Sequence, residues 1–290
     1  MLPIAITLGD VAGIGPEVVR KALRSGKLDR RFHYEVILGE RAPRVTPGNV
    51  SRTAALFALE SLEAATDGCL RGDYAALVTG PVHKAGLKLA GFHFPGQTEW
   101  LAHRTCTRRF AMMLTGGNLR VTLVTTHLPL RLVSGQLTRA RVRDTIGLTH
   151  EWLLKFGIRK PRILVAALNP HGGVPAEEGR EERTIIRPAV HDAQERWGGG
   201  IDGPFSPDHV FWMAHHGKAD AVVCMYHDQG LIPLKMLAFE KGVNLTLGLP
   251  IIRTSPDHGT AYDIAGKNKA NPESMIEAIN LAAKLATRPR

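Results

Sequence analysis

An α/β fold with mainly parallel sheets is what this sequence predicts, and three observations carry the prediction. Short runs rich in β-branched and aliphatic residues alternate with longer segments of helical periodicity along most of the chain. Several runs, such as Ile163-Leu164-Val165-Ala166-Ala167-Leu168 and Ala221-Val222-Val223-Cys224-Met225, are apolar throughout, as strands covered by helices on both faces must be. The length of 290 residues suits two domains, each with a substantial core.

In chain order, strands are expected at 4–8, 34–38, 75–79, 112–114, 121–126, 163–168, 221–225 and 243–247. Helical periodicity marks 16–24, 50–70, 99–105, 139–156, 180–196 and 272–286. The Gly-rich stretch Trp197–Gly200 reads as a surface turn, and neither an internal repeat nor a low-complexity tract interrupts the pattern.

Composition narrows the function classes. Apolar residues make up 44% and charged residues 22%, an ordinary globular balance. No apolar run reaches the length of a membrane span. The first residues, Met1-Leu2-Pro3-Ile4-Ala5-Ile6, have no basic leader and read as a strand, so the expected location is the cytoplasm, with no membrane partner. Three unspaced cysteines, Cys69, Cys106 and Cys224, argue against a disulfide framework and against a cysteine zinc module. The net charge of +10 is spread over scattered Lys and Arg with no block of five or six. That distribution disfavours nucleic acid and favours a small phosphorylated or carboxylated ligand.

Open parallel sheets bind ligands outside the carboxyl ends of their strands. Three runs deliver a histidine there: His127 after Val121–Thr126, His171 after Ile163–Leu168, and His227 after Ala221–Met225. Three imidazoles would bind a divalent metal and leave positions open for substrate, although any one of 13 histidines can equally be a surface or core residue. The turn Gly9-Asp10-Val11-Ala12-Gly13-Ile14-Gly15-Pro16-Glu17 joins a strand to a helix, and would either hold an anion or simply form a tight turn. Its spacing is neither that of a Rossmann fingerprint nor that of a P-loop. The segment from Arg253 to Asn268 gathers a cation, hydroxyls and glycines as an anion or nucleotide pocket would, with Lys235 and Asn244 upstream.

Five separated blocks are familiar together: Thr79-Gly80-Pro81-Val82-His83-Lys84, Thr125-Thr126-His127-Leu128-Pro129-Leu130, Asn169-Pro170-His171, Met225-Tyr226-His227-Asp228-Gln229-Gly230-Leu231, and Gly248-Leu249-Pro250-Ile251-Ile252-Arg253-Thr254-Ser255. In this order they resemble the 4-hydroxythreonine-4-phosphate dehydrogenase family of pyridoxal phosphate biosynthesis, over nearly the whole chain. The resemblance implies an isocitrate/isopropylmalate dehydrogenase-like fold, in which two α/β domains flank a cleft. Residues 1–98 with 256–290 would form the first domain and 99–255 the second. It also implies a homodimer whose active site is shared across the interface.

By the same resemblance, His127, His171 and His227 are metal ligands, one of them from the partner subunit, for zinc, magnesium or cobalt. Gln97, Thr98, Lys235, Asn244 and Arg253 would hold the phosphorylated substrate. His258, Gly259 and Asp263 would bind NAD or NADP, since His258-Gly259-Thr260-Ala261-Tyr262-Asp263-Ile264 is also similar to the adenosine-binding segment of isopropylmalate dehydrogenases. The implied reaction oxidises 4-hydroxythreonine 4-phosphate to 2-amino-3-oxo-4-(phosphooxy)butanoate, which loses carbon dioxide to give 3-amino-2-oxopropyl phosphate. Lys235 and Asp228 are the candidates for the group that removes the hydroxyl proton. Related alternatives are dehydrogenases of erythronate or threonate 4-phosphate or of a cyclic dihydrodiol acid. A metal-dependent hydrolase is the alternative from another class, disfavoured by the nucleotide-like segment.

Two departures from the family pattern stand out. Gln97-Thr98-Glu99 replaces the usual His-Thr-Glu, and an amide cannot carry a proton at neutral pH. The connection between Glu40 and Thr53 is also shortened, which should trim the first domain and spare the site.

Overall fold

The structure, a computed structural model, describes residues 1–40, 43–173 and 179–287. Arg41 and Ala42 of the shortened connection lie outside the described residues. The elements follow in chain order as β1 (Ile4–Thr7), α1 (Gly15–Arg24), β2 (Tyr34–Ile37), α2 (Arg52–Arg71), β3 (Ala76–Thr79), α3 (Lys84–Leu89) and α4 (Gln97–Arg104). Next come β4 (Ala111–Gly116), β5 (Leu119–Leu123), α5 (Val133–Gln136), α6 (Arg139–Lys155), β6 (Ile163–Ala166), α7 (Arg187–Trp197) and β7 (Ile201–Phe205). The last are α8 (Pro207–His215), β8 (Ala221–Cys224), α9 (His227–Ala238), β9 (Val243–Leu247), β10 (Arg253–Pro256) and α10 (Glu273–Ala286).

The chain divides into two compact units, Met1–Arg108 with Glu240–Arg290, and Arg109–Phe239. The first has strand order β2-β1-β3-β10-β9. All its neighbours run parallel except β10 and β9. The second has strand order β4-β5-β8-β6-β7, parallel apart from the β4–β5 hairpin. These are the mainly parallel sheets expected. The boundaries differ from those read in the sequence. Residues 240–255 belong with the first unit because β10 pairs with β3, and β9 with β10, and residues 99–108 belong there too, where Arg104 pairs with Asp67 of α2.

Period-two alternation sends each central strand's side chains into two layers. In the first unit, Ile4 and Ile6 of β1 and Ala76 and Val78 of β3 pack with Val18 and Val19 of α1 and with Met275, Ile276 and Ile279 of α10. In the second unit, Ile163 and Val165 of β6 and Ala221 and Val223 of β8 face α6 and α7 through Ile146, Leu153, Ala189 and Val190. Their alternates Leu164, Ala166, Val222 and Cys224 face α8 and α9 through Val210, Ala214, Leu231 and Leu234. Burying each such aliphatic side chain contributes roughly 1.5–3 kcal/mol, so the strands are held straight and their carboxyl ends become fixed points from which loops depart.

Capping sets where several helices begin. Ser51 and Thr138 accept hydrogen bonds from the backbone N–H groups of Ala54 and Arg141, opening α2 and α6. No helix among the described residues is long and apolar enough to cross a membrane.

Candidate active site

Within the second unit, the strand ends bring two of the three candidate metal ligands together. The backbone beyond β5 pairs with that beyond β8, through Val124 N–H to Cys224 O (2.8 Å) and Thr125 N–H to Met225 O (3.2 Å). The Thr125 hydroxyl adds a bond to the same Met225 carbonyl at 2.7 Å. His127, four residues past β5, and His227, the first residue of α9, then lie with ring centroids 5.6 Å apart. His227 Nδ1 is 2.6 Å from the Asp228 carboxylate, which fixes the tautomer that leaves Nε2 free.

His171 sits on a short 3-10 turn after β6, its backbone in the left-handed region at φ 55°. The two following glycines have φ 71° and 77°. Buried Gln229 ties the β6 and β8 ends together, accepting from Met225 N–H at 2.6 Å and donating to Ala167 O at 2.7 Å. Among the described residues, the three histidines do not form a group whose ligand atoms all lie within 4.8 Å; the cluster that does is His191, Asp192 and Glu195 on α7. That cluster is exposed at His191, and its Asp192 is already paired with Arg139. The donor chemistry at the strand ends nevertheless suits a divalent cation: three imidazoles at the edge of a buried sheet, one with its second nitrogen held by a carboxylate.

Lys235 is half-buried on α9, its ammonium 5.3 Å from the centre of the Phe239 ring. Asp228 is exposed and engaged with His227.

The first unit contains a buried cation. Arg253 is 3% exposed, and its side chain meets hydroxyls only: Nε and Nη2 donate to Thr79 Oγ1 at 3.0 and 2.6 Å, and Nη1 to Thr246 Oγ1 at 3.2 Å. A further bond from Nη1 to Thr98 Oγ1 is long, at 3.5 Å. No carboxylate among the described residues forms an ion pair with it. Burial pushes its pKa down to about 10, with the Glu99 charge opposing that shift. Strand register explains the arrangement. Arg253 opposes Leu77, two residues before Thr79, and Thr254 opposes Leu245, which sets Arg253 against Thr246. Asn244 lies on the same face as Thr246, and its side-chain Oδ1 is buried without a hydrogen-bond partner. A desolvated guanidinium and an orphaned amide oxygen both call for a ligand, the first for an anion and the second for a donor. Gln97 begins α4, and its amide donates to Gly80 O at 3.1 Å.

The glycine turn after β1 resolves as a packing device. Gly13 N–H is taken by Asp10 O and Ile14 N–H by Thr260 O, so these donors do not wait for an anion. A Cβ on Gly13 would lie 2.7 Å from Thr260 O, and one on Gly15 1.9 Å from Leu8 O, so only glycine permits the approach. The turn is thereby pressed against the 258–263 segment. Asp10, 1% exposed, accepts from Ala12 N–H and, at 2.7 Å, from the Tyr262 hydroxyl, and Tyr262 stacks on His83 with centroids 4.5 Å apart. Burial, then the Asp10 contact, raises the Tyr262 pKa, so it stays a neutral donor. In that segment, the His258 ring is 3.0 Å from Gly259 O, and the Asp263 side chain is exposed.

Sequence reasoning missed Glu182, Asp10, Tyr262, Thr79 and Thr246. A threonine in a strand and a glutamate in a helix carry no signal of their own until the register places them.

Comparison with known proteins identifies the lineage. A family described as "Pyridoxal phosphate biosynthetic protein PdxA" matches residues 16–282. The chain belongs to that family. It is 46% identical to a 4-hydroxythreonine-4-phosphate dehydrogenase of Desulforapulum autotrophicum, over 98% of this chain and 95% of that one. It is also 42% identical to a D-threonate 4-phosphate dehydrogenase of Salmonella typhimurium, over 98% of each. Among solved structures, a putative 4-hydroxythreonine-4-phosphate dehydrogenase from Salmonella typhimurium superposes with TM-score 0.87 at 40% identity, covering 98% of this chain and 99% of that one. A beta-decarboxylating dehydrogenase from Thermococcus kodakarensis shares the fold alone, at 18% identity and TM-score 0.54, over 97% of this chain and 81% of that one. The fold is thus of the isocitrate/isopropylmalate dehydrogenase type.

Proposed function

We propose that this PdxA-family protein is a dehydrogenase that oxidises 4-hydroxythreonine 4-phosphate with NAD or NADP and a divalent metal. The ketone product, 2-amino-3-oxo-4-(phosphooxy)butanoate, would then lose carbon dioxide. The observation that carries this reading is buried Arg253, surrounded by Thr79, Thr98 and Thr246 and not ion-paired with any carboxylate among the described residues. Hydroxyls orient a guanidinium without neutralising it, so a phosphate dianion is the natural complement. Asn244, with its unpartnered oxygen, would accept from an amino or hydroxyl group of the same substrate. Thr98 and Gln97, at the first turn of α4, complete the substrate set.

When bound, a divalent metal would supply Lewis acidity at the substrate hydroxyl and a nicotinamide would supply the hydride acceptor. His127, His171 and His227 would hold the metal, with Asp228 keeping His227 in the ligating tautomer. That contact supports a positioning role for Asp228 and favours Lys235, of the two candidates, as the group that would take up the hydroxyl proton or pair with the phosphate. Asp263, with His258 and Gly259, would hold the nucleotide against the Asp10–Tyr262 contact. The working unit in this reading is a homodimer, supported by the exposed apolar stripe of α9, with Ile232 61%, Met236 83% and Phe239 72% exposed.

A second substrate, D-threonate 4-phosphate, is favoured by the 42% identical relative of that activity. Gln97 bears on the same choice. The family's histidine at that position can carry a proton, whereas the Gln97 amide donates to the Gly80 carbonyl. NADH formation by the purified protein with each substrate in turn, with and without chelator, tests the reading. Metal-dependent NADH formation with 4-hydroxythreonine 4-phosphate is the expected result. Turnover of threonate 4-phosphate alone would transfer the assignment to the second substrate, and full activity after chelation would remove the metal from it.

A further inference from the structure

The geometry points to Glu182 as the positioning residue for the turn that presents His171, an inference that rests on reading His171 as a metal ligand. Glu182 is 2% exposed and opens the short π-helical turn Glu182–Ile186 that leads into α7. Its Oε1 accepts from the backbone N–H groups of Leu168 and Asn169, both at 2.8 Å. Its Oε2 accepts from the Asn169 side-chain amide at 2.9 Å. Three donors from the residues just before the His171 turn therefore converge on one buried carboxylate. Such charge-assisted bonds are about twice as strong as neutral ones.

The turn needs this restraint. His171, Gly172 and Gly173 are consecutive left-handed residues, with φ of 55°, 71° and 77°. For a residue with a Cβ, that conformation costs about 1–2 kcal/mol and persists only where the surroundings impose it. Glu182 bears on the far end as well, because a Cβ on Gly173 would lie 2.8 Å from Glu182 Oε2. The carboxylate thus holds the chain before His171 by hydrogen bonds and lies close against the turn after it, where only glycine fits. The π-turn is a wide, rarely used geometry often found at functional sites, and here it places Glu182 beneath the loop while Ile186 stays buried in the α6–α7 core. A glutamate whose only task was to cap β6 would not require the left-handed run that follows.

Cobalt(II) affinity, measured by chelator competition on the full chain together with the visible spectrum and thermal unfolding, tests the assignment. Glu182→Ala should weaken cobalt(II) binding about 10- to 100-fold and alter the spectrum, as loss of an outer partner of a metal site does. Glu182→Gln should recover most of the affinity, since its amide oxygen still accepts from Leu168 and Asn169. Val190→Ala, a cut in the core of α7, should lower the melting temperature and leave cobalt(II) affinity unchanged. Wild-type affinity and spectrum in Glu182→Ala would overturn the assignment, as would an equal loss in Val190→Ala. If Glu182→Ala does not fold, Asn169→Ala removes the donor to Glu182 Oε2, together with its 3.2 Å bond to Glu181 Oε2, and keeps both backbone bonds to Oε1; undiminished affinity in it would also overturn the assignment. His171→Ala separates the two levels: if it binds cobalt(II) as tightly as wild type, the metal reading fails and this inference falls with it.

Discussion

At the scale of single residues, Arg253 combines low exposure with a positive charge whose hydrogen-bond partners are neutral hydroxyls. Burial of an uncompensated cation costs stability, and only an arriving anion returns it. Binding and stability should therefore respond in opposite directions when the charge is removed. Arg253→Met keeps the length and apolar stem of the side chain. Its KM for the phosphorylated substrate should rise about 100-fold, the loss expected when charge-assisted bonds worth about 3 kcal/mol disappear. Its melting temperature without ligand should hold or increase. Steady-state kinetics with a thermal melt of the same preparation checks both, and a stability loss without a KM effect would make Arg253 structural. The residue was legible in the sequence as a candidate cation. Its partners were not, since Thr79 and Thr246 lie far apart in the chain and meet only through the pairing of β3, β10 and β9.

Among the elements, α1 shows how a helix can secure a segment it does not contain. Glu17 Oε1 accepts from Lys21 Nζ at 2.8 Å and from Ala270 N–H at 2.7 Å, and Lys21 also donates to the carbonyls of Asn268 and Ala270. The chain that follows the 258–263 segment is thereby tied to the helix that follows the glycine turn. Burial raises the Glu17 pKa, but the Lys21 bond and the Ala270 N–H outweigh it, so the carboxyl titrates below its ordinary 4.5. A depressed carboxylate pKa stabilises the fold above the unfolded-state value, and the contribution is lost as pH falls through the folded value. Glu17→Gln should therefore cost about 1–2 kcal/mol near neutrality and progressively less below about pH 4.5, as urea unfolding at a series of pH values would show. An equal deficit at all pH values would mean that the charge contributes nothing. Strands that are apolar throughout were read correctly in the sequence, as in β6 and β8. The strands β7 (Ile-Asp-Gly-Pro-Phe) and β10 (Arg-Thr-Ser-Pro) were missed because Gly, Pro and Ser mask a strand pattern. Helix α9 was missed for a related reason, with Gly230 and Pro233 inside it. The positions of the three histidines after strands could be read from the sequence because strand ends advertise themselves, whereas Glu182 reads as an ordinary helix charge until the chain folds.

On the scale of the whole molecule, His127, His171 and His227 do not converge within 4.8 Å among the described residues, so the proposed metal site requires either a ligand from a partner subunit or a movement of the His171 turn. The stripe Ile232, Met236 and Phe239 follows helical spacing and is exposed in the single chain, and the proposed homodimer would cover it. In a two-fold dimer each residue of the interface counts twice, so Met236→Glu removes two apolar contacts worth roughly 2 kcal/mol each and should weaken association about a thousandfold. Light scattering after gel filtration reads this directly, and a fully active dimer would reject the stripe as the interface. Subunit mixing then asks whether the site is shared. His127→Ala, His171→Ala and His227→Ala proteins, each inactive alone, are mixed in pairs and allowed to exchange subunits. If one ligand comes from the partner, a mixed dimer whose two lesions fall in the same site keeps the other site intact. Half of an equal mixture is mixed dimer with one good site of two, so activity should return to about a quarter of wild type. Two of the three pairings should recover, and the histidine common to both is the one that crosses the interface. No recovery in any pairing would place all three ligands in one chain, and the rings would then have to close around the metal by movement of the His171 turn.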